Sequence, residues 1–199
     1  MENSENVAPV EVLEQACVST GAVFSQVGAD QLDRTTPCAQ WRVRELIDHI
    51  IGAVGFFGDL AEWGTSPAGR DWPAWSAAGA SAVFDEEARR MVAAFSSPGA
   101  MTRIMGLPTG PSSGAEVIEV ATGEIFVHGW DLARAVGQPL PPDPGVAAAL
   151  LASGWPARCD QVRSGDPAPI APARPVAATA PPLDRLLAHL GRDPNWLSD

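Results

Sequence analysis

Residues 123–134 read GEIFVHGWDLAR, and their spacing predicts a helix with one polar stripe. In such a helix Glu124, His128 and Asp131 stand at positions i, i+4 and i+7, within about 60° of one another. The residues on either side of this stripe are apolar and require burial. A carboxylate and an imidazole one turn apart can bind a divalent metal ion when another element supplies further ligands.

His49 is the residue that we expect to complete this site. The chain has three histidines, and His49 lies on a second predicted helix beside apolar residues that recur every three or four positions. Helical bundles carry metal ligands on facing helices, so His49 can approach Glu124 and His128 if the two helices are neighbours. Two imidazoles and one carboxylate leave one coordination position of the metal open. Catalytic metal sites have such a position, which water or substrate occupies. Zinc is the first choice of metal, and nickel, iron, manganese or cobalt accept the same ligands.

Two acidic residues are candidates for support around these ligands. Asp131 follows His128 by three residues and can accept the N–H of a ligand imidazole, and Glu45, four residues before His49, is a candidate for the same role. A fourth protein ligand would instead close the site, and Asp131 or Cys38 would then be the candidates.

The alternative interpretation needs no metal. His49 and His128 would then be histidines at the edge of the core, and Glu124 a surface acid. We expect the third histidine, His189, to be solvated, and Cys38 to be a small buried apolar residue rather than a nucleophile.

Hydrophobic periodicity predicts an all-α fold. Helices are predicted over about Pro9 to Val27, Val43 to Trp63, Ser76 to Phe95, Ala115 to Val136, and Pro144 or Gly145 to Cys159. A proline- and alanine-rich extended segment, 165–182, precedes a short amphipathic segment, 183–190. No alternating strand pattern is found, and residues 101–107 are too few to classify. The prediction is one domain, 1–199, built as an antiparallel four-helix bundle with a short C-terminal appendage.

Composition excludes several classes of function. The net charge is −11 and the 13 basic residues do not cluster, so the surface would repel a phosphate backbone and nucleic-acid binding is not expected. No apolar run approaches the roughly 20 residues of a membrane span, and the polar start of the chain does not read as a secretory signal. Three widely spaced cysteines favour a reducing cytoplasm over a disulfide framework. Signatures of metalloproteases, α/β-hydrolases and dinucleotide-binding proteins are lacking.

Three motifs carry a resemblance to a known family. They are Thr36-Pro37-Cys38-x-x-Trp41-x-Val43-x-x-Leu46-x-x-His49, then Glu124-x-x-x-His128-Gly129-Trp130-Asp131-Leu132-Ala133, then Gly191-Arg192-Asp193-Pro194. Together they resemble an actinobacterial family of DinB-like metal-binding proteins. That family is similar to the N-terminal metal-binding domain of mycothiol-dependent maleylpyruvate isomerase.

The resemblance covers nearly the whole chain and implies an up-down-down-up four-helix bundle with a divalent metal, usually zinc. Carried over one at a time, the family's ligands fall on His49, Glu124 and His128, the residues that spacing also selects. The isomerase has an additional C-terminal domain that we do not expect in these 199 residues, so its own reaction is not expected here. The wider superfamily contains transferases that use a low-molecular-weight thiol such as mycothiol or bacillithiol.

The sequence therefore leads to three functional hypotheses. The first is a cytoplasmic S-transferase or isomerase in which the metal activates a thiol that attacks a small electrophile. The second is a hydrolase of a small amide or ester in which the metal activates water. The third is a non-catalytic metal- or ligand-binding stress protein. Each would act on small molecules, as a monomer or a homodimer.

Overall fold

The computed structural model describes residues 9–67, 74–139, 144–164 and 170–198. The polar N-terminus and the first five residues of segment 165–182 therefore lie outside the described residues. The chain is mostly helical. Its elements are α1 Pro9–Phe24, α2 Val43–Trp63, α3 Ala80–Phe95, β1 Ile104–Leu107, β2 Gly110–Ser113, α4 Gly114–Val136, α5 Pro144–Ala152, α6 Trp155–Arg163 and α7 Pro182–His189.

The four long helices pack around one apolar core. Helix α2 lies against α3 and α4, and α1 lies against the same two helices. Each helix contributes fully buried side chains to this core, among them Leu13, Ile50, Phe84 and Ile118. The stripe predicted for α2 is the face that this helix buries, because apolar residues at three- and four-residue intervals share one side of a helix.

Helices α2 and α4 both end where the sequence analysis places their ends, at Trp63 and Val136. The residue after each is a glycine in the left-handed region, Gly64 with φ 80° and Gly137 with φ 75°. A side chain is strained in that conformation, and glycine is not, so both helices stop in a C-cap.

The sequence analysis found no alternating strand pattern and left residues 101–107 unclassified, and the structure places a small hairpin there. Strands β1 and β2 form a small antiparallel hairpin in which Leu107 pairs with Gly110 and Ile104 with Ser113. Each strand has four residues, which is too short for an alternating pattern to be recognised. Within β1, Met105 is buried and Ile104 is exposed, so the hairpin still buries one face.

Two predicted helix boundaries and the continuity of one predicted helix also differ from the structure. Helix α1 ends at Phe24 rather than Val27, and α3 begins at Ala80 rather than Ser76. The single helix expected up to Cys159 is broken into α5 and α6, and between them the hydroxyl of Ser153 accepts the backbone N–H of Trp155. Serine side chains that bond the local backbone compete with helical hydrogen bonds, which explains the break.

The C-terminal elements form a second apolar layer on the outer face of α1 and α4. It joins Phe126 and Trp130 of α4 to residues of α5, α6 and α7, including Leu150, Trp155 and Leu187. The ring of Trp155 lies so close to α4 that a Cβ at Gly123 would collide with it. The predicted appendage is thus packed against the long helices. In the described part of the extended segment, residues 170–181 form no helix or strand, and Pro182 is already the first residue of α7.

Glu116 stabilises the start of α4 through a capping box and an ion pair. Its carboxylate accepts the backbone N–H and the hydroxyl of Ser113 at 2.7 and 2.9 Å, and the guanidinium of Arg158 at 2.6 Å. The bond from Arg158, helped by those from Ser113, lowers the pKa of Glu116 to about 2. The unfolded pKa is about 4.3, so this stabilisation is present above that pH and is lost as the pH falls toward 2.

We expect Glu116→Gln to lower the midpoint of thermal unfolding at neutral pH and to have a much smaller effect at about pH 2. Circular dichroism at both pH values measures this difference. Glu86→Gln is the matched control, because Glu86 pairs with Arg89 on the exposed face of α3, where an ion pair contributes little. Equal effects of Glu116→Gln at both pH values would contradict the assignment.

Among the described residues, no helix is long and apolar enough to cross a membrane.

Candidate metal centre

Helices α2 and α4 bring His49, Glu124 and His128 into one cluster. Nε2 of His49 lies 2.9 Å from Oε1 of Glu124, and Nε2 of His128 lies 3.5 Å from the same oxygen. One possible ligand atom from each of the three side chains lies within 4.8 Å of the other two. Two imidazole nitrogens and a carboxylate oxygen are ligands that zinc and its neighbours in the first transition row accept.

Close packing of α4 on α1 fixes the helix that carries two of these residues. The hydroxyl of Thr20 donates to the backbone carbonyl of Ile125 at 3.1 Å. A Cβ at Gly129 would collide with the side chain of Thr20, so glycine next to His128 permits this approach. Since α2 also packs on α4, His49 is held opposite Glu124 by the core and not by a surface loop.

The cluster keeps one side accessible to solvent. Side-chain exposure is 34% for Glu124 and 30% for His49, whereas His128 is almost buried. The Trp41 ring covers part of the site, with its centroid 4.5 Å from that of His49 and 5.6 Å from that of His128. A small molecule can therefore reach the cluster while Trp41 shields one flank.

The electrostatics of the cluster favour a cation. Burial raises the pKa of Glu124, but its hydrogen bonds with His128 and His49 outweigh burial and hold the pKa well below its ordinary range. Burial lowers the pKa of His128, but bonds with Asp131, Cys38 and Glu124 raise it well above its usual value. The same carboxylates that hold a proton on His128 would stabilise a metal cation in its place, because both are positive charges.

Asp131 contacts the ring nitrogen of His128 that does not face Glu124. Its side chain is completely buried, and Oδ2 lies 2.9 Å from Nδ1 of His128. Burial raises the pKa of Asp131, but the bond with His128 and the charge of Arg192 lower it to about 2. With Nδ1–H donated to Asp131, Nε2 is the nitrogen directed at Glu124 and free to bind a metal.

The sequence-based prediction gave Arg192 no role at this site, and it treated Cys38 as a buried apolar residue or, in a closed site, as a fourth ligand. Cys38 is not a buried apolar residue as expected, because its thiol is half-buried and lies 3.3 Å from Oδ2 of Asp131 and 3.8 Å from Nδ1 of His128. Arg192 reaches Asp131 with Nη2 at 2.8 Å. Its only sequence signal was its place in the motif Gly191-Arg192-Asp193-Pro194.

Two other candidate residues lie elsewhere. Glu45 caps the start of α2, where its carboxylate accepts the backbone N–H of Arg42 at 2.8 Å. His189 is not solvated as predicted. Its side chain is only 24% exposed, and its Nε2 lies 3.2 Å from the carbonyl of Pro156.

A second group of possible ligands adjoins the first. It consists of Cys38, His128 and Asp131, and the guanidinium of Arg192 contacts both Cys38 and Asp131. A positive charge of the protein itself is therefore already present on that side of His128.

Comparison with known proteins gives one matching family model and two similar proteins. The family model described as the mycothiol maleylpyruvate isomerase N-terminal domain matches residues 13–133. Two uncharacterized proteins of Mycobacterium tuberculosis, one from strain CDC 1551 and one from strain H37Rv, are each 33% identical over 184 residues. The alignments cover 92% of this chain and 97% of each relative. No solved structure matches the chain significantly.

Proposed function

The chain belongs to the mycothiol maleylpyruvate isomerase N-terminal domain family, and we propose that it is a metal-dependent enzyme using a low-molecular-weight thiol. The reaction would be S-transfer to a small electrophile, or an isomerisation that passes through thiol addition. The observation that carries this proposal is the convergence of His49, Glu124 and His128 on one solvent-accessible side. We infer that mycothiol or a similar thiol is the cosubstrate, since the family description names mycothiol.

His49, Glu124 and His128 are the proposed ligands of a divalent metal ion. Zinc suits their two nitrogens and one oxygen, and nickel, iron, manganese and cobalt remain alternatives. When bound, the ion would act as a Lewis acid, which would lower the pKa of a thiol and favour the thiolate, the form that attacks an electrophile.

The protein's own groups would orient the ligands and shape the approach. Asp131 accepts the Nδ1–H of His128 and so directs Nε2 toward the metal. The indole of Trp41 lies against both imidazoles and keeps bulk water from that flank. Glu124 and His49 stand at the accessible side, so the thiol and its electrophile would enter there.

The finer description of the molecule is part of the same proposal. We propose that α1 to α4 form an up-down-down-up bundle of the DinB type, and that residues 1–199 act as one domain. The protein would be cytoplasmic, as a thiol-dependent enzyme requires a reducing compartment, and would function as a monomer or homodimer.

A thiol-conjugation assay tests the proposed reaction. Zinc-loaded protein is mixed with mycothiol and monochlorobimane: the thiol sulfur forms a bond to carbon, chloride leaves, and the thiol proton passes to solvent. We expect the wild-type rate to exceed that of His128→Ala, which lacks a proposed ligand. His189→Ala is the control, because His189 lies outside the candidate ligand groups among the described residues.

Two results would redirect the proposal. Equal rates for wild type and His128→Ala would rule out metal-dependent thiol transfer to this electrophile. Turnover of a small ester or amide in the absence of any thiol would favour a hydrolase. In that case the same three ligands would hold a metal ion that activates water.

A further inference from the structure

Arg192 brings a buried positive charge to the candidate metal centre from the C-terminal segment. Its guanidinium holds Asp131 through two contacts, Nη2 to Oδ2 at 2.8 Å and Nε to Oδ1 at 3.3 Å. Only 17% of the Arg192 side chain is exposed. Residue 192 lies beyond residues 13–133 matched by the family model, and the motif that contains it carried no role for its side chain in the sequence analysis.

We infer that Arg192 is a positioning residue for the metal ligand His128, acting through Asp131. This inference rests on the proposed metal site. Arg192 itself would touch neither the metal nor the substrate.

The geometry forms a relay of three side chains. Oδ2 of Asp131 lies 2.8 Å from Nη2 of Arg192 and 2.9 Å from Nδ1 of His128. Paired contacts to both carboxylate oxygens fix the plane of the Asp131 carboxylate, which a single contact cannot do. The fixed carboxylate in turn fixes the ring of His128. Partners of this kind behind a ligand histidine typically change metal affinity by about 10- to 100-fold.

Arg192 also decides which side of His128 receives a metal ion. On the Nδ1 side, Cys38, His128 and Asp131 form the second group of possible ligands. Nη2 of Arg192 lies 3.7 Å from Sγ of Cys38 as well as within hydrogen-bonding distance of Asp131. The guanidinium of Arg192 therefore already supplies the positive charge at this second group, and it would repel a metal ion there. On the Nε2 side, the ion-pair contacts of Glu124 among the described residues are with His49 and His128.

A matched control must separate this role from simple anchoring of the C-terminal segment. Arg134 of α4 supplies that control, because Nε of Arg134 donates to the backbone carbonyl of Trp196 at 2.9 Å. Trp196 lies four residues from Arg192 in the chain, and the bonds that its carbonyl accepts are from Arg134. Arg134→Met would thus loosen the same segment and leave the contact between Arg192 and Asp131 intact.

The test compares zinc affinity among wild type, Arg192→Met, Arg192→Lys and Arg134→Met, by competition with a chromophoric chelator. We expect Arg192→Met to bind zinc about 10- to 100-fold more weakly. Arg192→Lys should recover part of this loss through its charge, but lacks the paired geometry. Arg134→Met should bind zinc like the wild type.

A second measurement needs no metal. In ¹⁵N-histidine-labelled, chelator-treated protein, the Nδ1–H proton of His128 should give an exchange-protected NMR signal, because it is buried and bonded to Asp131. We expect Arg192→Met to lose this signal and Arg134→Met to keep it.

The outcomes separate this inference from the proposed function. Wild-type zinc affinity in Arg192→Met, or an unchanged His128 signal, would overturn the positioning role even if thiol transfer is observed. Zinc binding that weakens in Arg192→Met but not in Arg134→Met would support it even if the thiol assay is negative. Equal losses in both variants would assign Arg192 to anchoring alone.

Discussion

Replacing His128 with alanine is expected to abolish stoichiometric metal binding. His128 is the buried member of the cluster and faces Glu124 with Nε2, so its loss removes a ligand and leaves two more exposed ones. Plasma mass spectrometry of untagged protein after reconstitution and gel filtration measures the effect. We expect about one equivalent in the wild type and little in His128→Ala, because catalytic sites of this kind use three protein ligands.

The remaining histidines provide the comparison. His49→Ala should lose metal in the same way, because Nε2 of His49 lies 2.9 Å from Glu124. His189→Ala should retain it, since that imidazole contacts the carbonyl of Pro156 instead. Absence of metal in reconstituted wild type would remove the proposed chemistry and leave a helical binding protein.

The Asp131→Ala substitution is expected to be strongly destabilising even without metal. It would leave the largely buried guanidinium of Arg192 without its carboxylate. Removing one partner of a buried ion pair typically costs about 3–5 kcal/mol, because the other charge remains buried and uncompensated. Urea unfolding of chelator-treated protein, followed by circular dichroism, measures the free energy of unfolding and excludes an effect of lost metal.

Removing both charges tests whether the unpaired charge of Arg192 causes the loss of stability. We expect Asp131→Leu combined with Arg192→Met to be more stable than Asp131→Leu alone, because no unpaired charge remains. If the double variant is less stable than the single one, the cost comes from altered packing around α4 and not from the charge of Arg192.

Much of the helical part of the fold could be predicted from local pattern. The residues of α2 and α4 recur with helical periodicity and end before glycines, and both predicted helices are confirmed almost to the residue. That Glu124 and His128 share one face follows from spacing alone. The hairpin and the break between α5 and α6 could not be predicted in this way, because four-residue strands and a local serine contact leave no periodic signal.

The surroundings of the candidate site depended on tertiary contacts instead. Arg192 is 61 residues from Asp131 in the chain, and Cys38 is 93 residues from it. Spacing relates only residues of one element, so it could not assign either residue to Asp131. The predicted environment of Cys38 was wrong for the same reason. A cysteine side chain suits an apolar core, but Cys38 lies beside the charged side chains of Asp131 and Arg192.

His49 lies on α2 and Glu124 lies on α4, and this affects how the two helices can separate. The two residues are 75 positions apart, so an ion held by both would close a long loop of the chain, much as a cross-link does. Separation of α2 from α4 would then require the ion to leave. Amide groups of both helices would exchange with solvent as one unit, at a rate set by release of the ion rather than by fraying of either helix.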